Sequence, residues 1–196
     1  MTAAPAKIAR RAFIAELLRQ RGDALIATGL GSATWDCYAA GDSPDYLYSW
    51  GGMGLAVPTA LGLALAQPGR RVVAITGDGE MMMGLGSLAV VGDQAPRNFA
   101  VLVLDNGSFG ETGRQRGLTA GRADIAAVAK AVGFSATMTV SEESAAARLA
   151  HFLFTQPGPV LAVAKIAITE DPWALPEKDG ATLAHRFRAA LGLEKA

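Results

Sequence analysis

The chain is poor in the residues from which redox and metal centres are usually assembled. Its single cysteine, Cys37, excludes an internal disulfide and cannot alone hold an iron–sulfur cluster or a cysteine-rich zinc site. Its two histidines, His151 and His185, lie far apart, so no His pair is spaced for zinc. A bias of charge is missing too. With 18 basic and 18 acidic residues the formal net charge is zero, and neither nucleic acid nor an anionic membrane surface is an expected partner. No stretch reaches the roughly 20 apolar residues that span a bilayer. After Arg10-Arg11, the charges of Glu16, Arg19 and Arg21 interrupt the apolar run that an export signal needs. The expectation is a soluble, cytoplasmic protein.

What is present is apolar mass. Of 196 residues 51% are hydrophobic and 18% charged, enough to bury the core of a single domain. Short β-type runs at 24–28, 71–76, 99–104, 136–140 and 159–166 alternate with helical patterns at 54–67, 82–92, 124–132 and 141–155. Asp124 and Ser141 are the expected N-caps of the last two, and Pro68-Gly69 stops the first. An N-terminal helix is expected over 6–21, where Ile8, Phe13, Ile14, Leu17 and Leu18 form a stripe, and a C-terminal extension over 167–196 ends in a peripheral helix. The strands are nearly continuous apolar runs rather than alternating ones, so helices should cover both sheet faces. The fold class is therefore α/β, a doubly wound and mainly parallel sheet in a single domain with its core over about 24–166.

In such a sheet ligands bind at the carboxyl ends of the strands. There Ile75-Thr76-Gly77-Asp78-Gly79-Glu80 sets a carboxylate between two glycines before a helix. Glycines and a helix N-terminus suit a phosphate, but Asp78 would repel one. A divalent cation between them removes the conflict, because magnesium takes carboxylate, carbonyl and phosphate oxygens together. The next strand leads into Asp105-Asn106-Gly107-Ser108-Phe109-Gly110, where Asn106 offers an amide oxygen and Ser108 a backbone one.

Gly77-Asp78-Gly79 followed 28 positions beyond the aspartate by Asn106 resembles the diphosphate and magnesium motif of thiamine diphosphate enzymes. The chain is most similar to the pyrophosphate-binding half of the 2-oxo acid decarboxylase and acetolactate synthase superfamily, in particular the sulfopyruvate decarboxylase β subunit and phosphonopyruvate decarboxylase group. The resemblance runs over about 24–166. It implies that Asp78, Asn106 and the Ser108 carbonyl bind Mg2+, and that Gly77, Gly79, Glu80, Phe109 and Gly110 join them around thiamine diphosphate. Upstream, Gly51-Gly52-Met53-Gly54 matches the segment that holds the aminopyrimidine ring, with Gly51 and Gly52 beside the ring and Met53 as the apolar wedge that bends the cofactor. This chain departs from the family pattern at Asp105, where an asparagine is common, and at Glu80, where an uncharged residue is commoner.

The resemblance also implies an activating glutamate on a separate pyrimidine-binding domain, which needs on the order of another 150 residues. A pyrimidine-binding partner subunit is therefore expected, with this chain as half of an active site acting on a small 2-oxo acid. Glu111 lies near the position of an acidic group that works on the intermediate. Arg114 and Arg116 are candidates for substrate oxyanions, with a solvated loop as the alternative. A carboligase of the acetolactate synthase kind and a non-catalytic subunit of the same fold remain alternatives. Gly29-x-Gly31-x-x-Thr34 lacks the last glycine of a dinucleotide fingerprint. Met81, Met82 and Met83 read as core filler. Trp35, Tyr38, Tyr46, Tyr48 and Trp50 read as a loop packed on the sheet edge or a neighbouring subunit.

Overall fold

The computed structural model describes residues 8–49 and 51–193; Trp50, and residues 6 and 7 of the expected N-terminal helix, lie outside them. The elements run α1 (Arg10–Leu18), β1 (Leu25–Thr28), α2 (Ser32–Ala39), β2 (Tyr46–Tyr48), α3 (Ala56–Ala66), β3 (Val72–Gly77), α4 (Asp78–Met83), α5 (Ser87–Gln94) and β4 (Phe99–Asp105). A small hairpin follows, β5 (Ser108–Phe109) and β6 (Gln115–Arg116). After it come α6 (Ile125–Ala131), β7 (Ala136–Val140), α7 (Ala146–Phe154), β8 (Val160–Lys165) and α8 (Gly180–Ala190).

Six strands form one parallel sheet in the order β2-β1-β3-β4-β8-β7. The central strands are apolar throughout because both faces are covered. Val73, Ile75, Leu102 and Leu104 pack under α1, α2 and α7, while Val72, Ala74, Val101 and Val103 pack under α3, α5 and α6. The predicted doubly wound α/β sheet is thus observed. Helix α8 lies against β2 and shields that edge of the sheet.

Several boundaries differ from the sequence reading for identifiable reasons. Ile8 bridges Ile166 as an extended residue, so the N-terminal helix begins only at Arg10. Asp124 caps α6 as expected, accepting the Ala127 N–H at 3.0 Å. The helix expected from Ser141 starts instead at Ala146 without a side-chain cap, because a 3₁₀ turn over Glu143–Ala145 holds Glu143 against the Ala9 N–H. The helix expected over 82–92 is two helices that meet at Gly84-Leu85-Gly86. Gly84 packs backbone to backbone on Gly54, where a Cβ would lie 2.3 Å from the Gly54 carbonyl oxygen. The aromatic loop resolves into α2 and the edge strand β2. Tyr46 and Tyr48 are buried core residues in edge contact with each other, and Trp35 packs on the exposed Trp173. Of the three methionines only Met81 is core; Met83 is 65% exposed.

Candidate active site

Strands β1 and β3 are neighbours whose chain connections leave in opposite directions across the sheet, which makes the crevice outside their carboxyl ends the expected ligand position. Asp78 stands there. β3 ends at Gly77 and α4 begins at Asp78 itself, so the Gly-Asp-Gly segment is the expected strand-to-helix junction, with Asp78 already the first residue of the helix. Gly79 has a specific steric reason: a Cβ there would meet the Phe109 ring at 2.4 Å. The hairpin after β4 is thereby seated directly on the Gly-Asp-Gly junction.

Asp78 is 3% exposed, and no cationic side chain among the described residues pairs with it. Burial pushes its carboxyl above the usual range; the Thr119 hydroxyl opposes the shift and the nearby charge of Asp105 adds to it. Thr119 Oγ1 lies 2.7 Å from Asp78 Oδ2 and 2.8 Å from Asp105 Oδ1, although it has one hydrogen to donate. Asp105 is treated differently by the fold. It accepts the Gly107 N–H at 3.0 Å and forms an ion pair with Lys165, the last residue of β8. Two buried carboxylates thus share one hydroxyl, and only Asp105 has a cation.

Pairing of β3 with β4 brings the loop after β4 beside Asp78, as the motif spacing implied. Asn106 Oδ1 accepts the Ser108 N–H at 2.8 Å and keeps a second lone pair. Ser108 Oγ is buried without a hydrogen-bond partner. The oxygens available from Asp78, Asn106 and Ser108 are hard donors that suit magnesium. Among the described residues no group of three or more His, Cys, Asp or Glu side chains could hold a metal. A cation at Asp78 would therefore need amide, carbonyl and non-protein oxygens to complete its shell. The residues present fit the group.

Glu111 reaches from the loop after β4 to the loop after β1. A Cβ on Gly31 would meet its Oε1 at 1.9 Å, and burial raises its pKa while the Arg10 charge opposes the rise. It therefore lies against the loop at the carboxyl end of β1. Arg114 is drawn away into an exposed ion pair with Glu170, and Arg116 donates to the Ala120 carbonyl at 2.7 Å. Gly51, Gly52 and Met53 form an exposed loop before α3, and Met53 is 36% exposed rather than packed in the core. The Gly54–Gly84 contact ties this loop to the end of α4. Gly110 opens the 3₁₀ turn that carries Glu111 and is exposed.

Glu80 is 4% exposed and turns inward, so near that Gly29 has no room for a side chain. Burial raises its pKa, opposed first by the Thr76 hydroxyl, which donates to Oε2 at 2.7 Å, and then by the N–H groups of Ala56, Gly54 and Gly77. Its Oε1 has no hydrogen-bond partner. In this arrangement the carboxylate braces the β1, β3 and α3 loops together. Sequence reasoning missed Thr119 altogether, and it gave Asp105, the last residue of β4, no partner. A lysine closing an apolar parallel strand, as Lys165 closes β8, was the available signal of a buried carboxylate partner.

The model of the thiamine pyrophosphate enzyme C-terminal TPP binding domain matches residues 29–164. A phosphonopyruvate decarboxylase of Streptomyces viridochromogenes is 40% identical over 190 residues, which are 95% of this chain and 46% of that protein. The sulfopyruvate decarboxylase subunit beta of Methanothermobacter thermautotrophicus is 41% identical over 113 residues, 58% of this chain and 60% of that one. The chain thus spans about half the length of these relatives. Among solved structures, a 2-oxoglutarate:ferredoxin oxidoreductase from Magnetococcus marinus superposes with a TM-score of 0.67 at 15% identity, over 97% of this chain and 78% of that one, a likeness of fold. The matched span contains the Gly29 loop, the β3–α4 junction with Asp78 and the loop after β4, and the chain belongs to the thiamine pyrophosphate enzyme family through its C-terminal TPP binding domain.

Proposed function

We propose that this chain is the cofactor-holding subunit of a thiamine diphosphate- and Mg2+-dependent 2-oxo acid decarboxylase, active with a pyrimidine-binding partner chain. The observation that carries the reading is Asp78, a buried carboxylate without a cation, set beside the oxygens of Asn106 and Ser108 at the switch-point crevice. A buried unpaired carboxylate is costly unless something compensates it, and a divalent cation is the ligand that does so here. The names of the relatives support a small 2-oxo acid that bears a second anionic group.

When bound, thiamine diphosphate supplies the electron sink for release of carbon dioxide. The chain's own residues do the rest of the holding. Asp78, Asn106 and the Ser108 carbonyl would hold the metal that neutralises the diphosphate, and Met53, in the exposed loop before α3, would be the apolar support for the ring system. Glu111, raised by burial, holds or delivers a proton at the crevice wall. Arg114 must leave Glu170 before it can meet a substrate anion; that exposed pair contributes little, about 0–1 kcal/mol, and gives way readily.

Calorimetric titration of the full chain with thiamine diphosphate tests the reading. Binding is expected in Mg2+ and is expected to weaken by about tenfold or more in EDTA, since the cation bridges cofactor and carboxylate. Affinity indifferent to Mg2+ would remove the metal from the proposal.

Met53 gives a second test. Truncating a core methionine costs about 2–5 kcal/mol, but this one is 36% exposed. Met53→Ala is expected to leave the melting temperature nearly unchanged and to lower turnover of the assembled enzyme by about tenfold or more, because small misplacements of reacting groups can cost up to about a hundredfold. A large fall in melting temperature with normal turnover would make Met53 a packing residue.

A further inference from the structure

We infer that Thr119 is a positioning residue for the metal, donating its one hydroxyl hydrogen to the Asp78 carboxylate from behind, while the Gly107 N–H and Lys165 already satisfy Asp105. The inference rests on the reading of Asp78 as a metal ligand. Thr119 Oγ1 is the only side-chain atom recorded within hydrogen-bond distance of Asp78 among the described residues, at 2.7 Å from Oδ2. The same oxygen lies 2.8 Å from Asp105 Oδ1, and both contacts are buried.

The two carboxylates divide the labour. Asp105 spends Oδ1 on the Gly107 N–H and Oδ2 on Lys165, so its charge is balanced within the chain and its oxygens are committed. Asp78 keeps an unbalanced charge, and Thr119 occupies a lone pair of one oxygen only. The hydroxyl therefore fixes the carboxylate's rotation while leaving acceptor capacity for a cation. Such outer contacts on a ligating carboxylate are worth about 10–100-fold in metal affinity.

The backbone is shaped to bring Thr119 there. Gly117 donates its N–H to the Gly107 carbonyl at 2.7 Å, and a Cβ on Gly117 would lie 2.9 Å from the Gly107 carbonyl carbon and 3.1 Å from Asp78 Oδ2. Gly107 takes a φ of +66°, which a side chain would resist. These two glycines let the 3₁₀ turn Leu118–Ala120 fold down onto the junction of β3 and α4. The close approach serves the hydroxyl of Thr119, since Leu118 on the same turn is exposed.

The test is Mn2+ binding to the full chain at saturating thiamine diphosphate, read from the electron paramagnetic resonance signal of free Mn2+. Thr119→Val keeps the shape and removes the hydroxyl, and its Kd for Mn2+ is expected to rise by about tenfold or more. Thr119→Ser restores the hydroxyl and should stay within about threefold of the wild type. Melting curves without metal or cofactor should leave both variants folded. If Thr119→Val unfolds, Thr119→Ala carries the same expectation. Wild-type affinity for Mn2+ in the valine or alanine variant overturns the positioning role alone. A wild-type chain that takes up no Mn2+ with the cofactor overturns the reading of Asp78 and this inference with it.

Discussion

Asp78→Ala is expected to lower the affinity for thiamine diphosphate in Mg2+ on the order of a hundredfold or more, while the protein stays folded. The two halves of that expectation have separate causes. Binding falls because Asp78 is a buried carboxylate with no cationic partner among the described residues, set beside the loop that carries Asn106 and Ser108, and without it the diphosphate keeps its own repulsion. The fold survives because the side chain contributes little to it. Besides support from the Asn106 and Asp78 N–H groups, its side-chain partner among the described residues is Thr119, a bond worth about 0.5–1.5 kcal/mol net, and its removal also relieves the crowding of Asp78 and Asp105 around one hydroxyl. Alanine is moreover a good residue for the first turn of α4. Calorimetry with cofactor and Mg2+, beside a melting curve of the apo variant, checks both halves. Wild-type affinity would disqualify Asp78 as the metal ligand, and an unfolded variant would make it a structural residue.

The same residues show why part of this architecture is legible in the sequence and part is not. A parallel sheet covered on both faces demands nearly continuous apolar strands, and 72–75 and 99–104 announce themselves in that way. Once those two strands are neighbours, Asp78 and Asn106 must meet, because each sits at the carboxyl end of its own strand. β2 gives no such signal: it is three residues long, and its Tyr46 and Tyr48 read equally well as loop aromatics. The break between α4 and α5 depends on Gly84 touching Gly54, a contact made only once the chain has folded. Thr119 and Lys165 lie 41 and 60 positions from the carboxylates they touch, and neither belongs to a motif. Periodicity and caps report on local geometry; the lysine that closes β8 hints at a buried carboxylate without saying which one, and Thr119 leaves no local trace at all.

Purified alone and supplied with thiamine diphosphate, Mg2+ and a three-carbon 2-oxo acid, the chain is expected to release carbon dioxide no faster than the free cofactor does. The crevice explains why. Asp78, Asn106 and Glu111 stand at or near the carboxyl ends of the strands, and the exposed Gly51–Met53 loop is where the aminopyrimidine ring is expected. In the family this chain resembles, a glutamate on a pyrimidine-binding domain activates that ring. Of the two buried or crevice glutamates here, Glu80 is turned into the β1 and α3 loops and Glu111 lies over Gly31. Neither is arranged to serve that ring. A partner is expected to dock where apolar side chains are left in solvent around the Gly54–Gly84 contact: Met53 is 36% exposed, Leu55 52% and Met83 65%. This replaces the aromatic segment as the candidate contact, because Tyr46 and Tyr48 are spent inside the fold. Mixing the chain with a pyrimidine-binding subunit of comparable length should switch on decarboxylation, and Leu55→Asp with Met83→Asp should prevent it without unfolding the chain, by placing charge in the contact. Rapid decarboxylation by the chain alone, with no second protein detectable by mass spectrometry, would refute the half-site and direct the search for the activating carboxylate to Glu80 and Glu111.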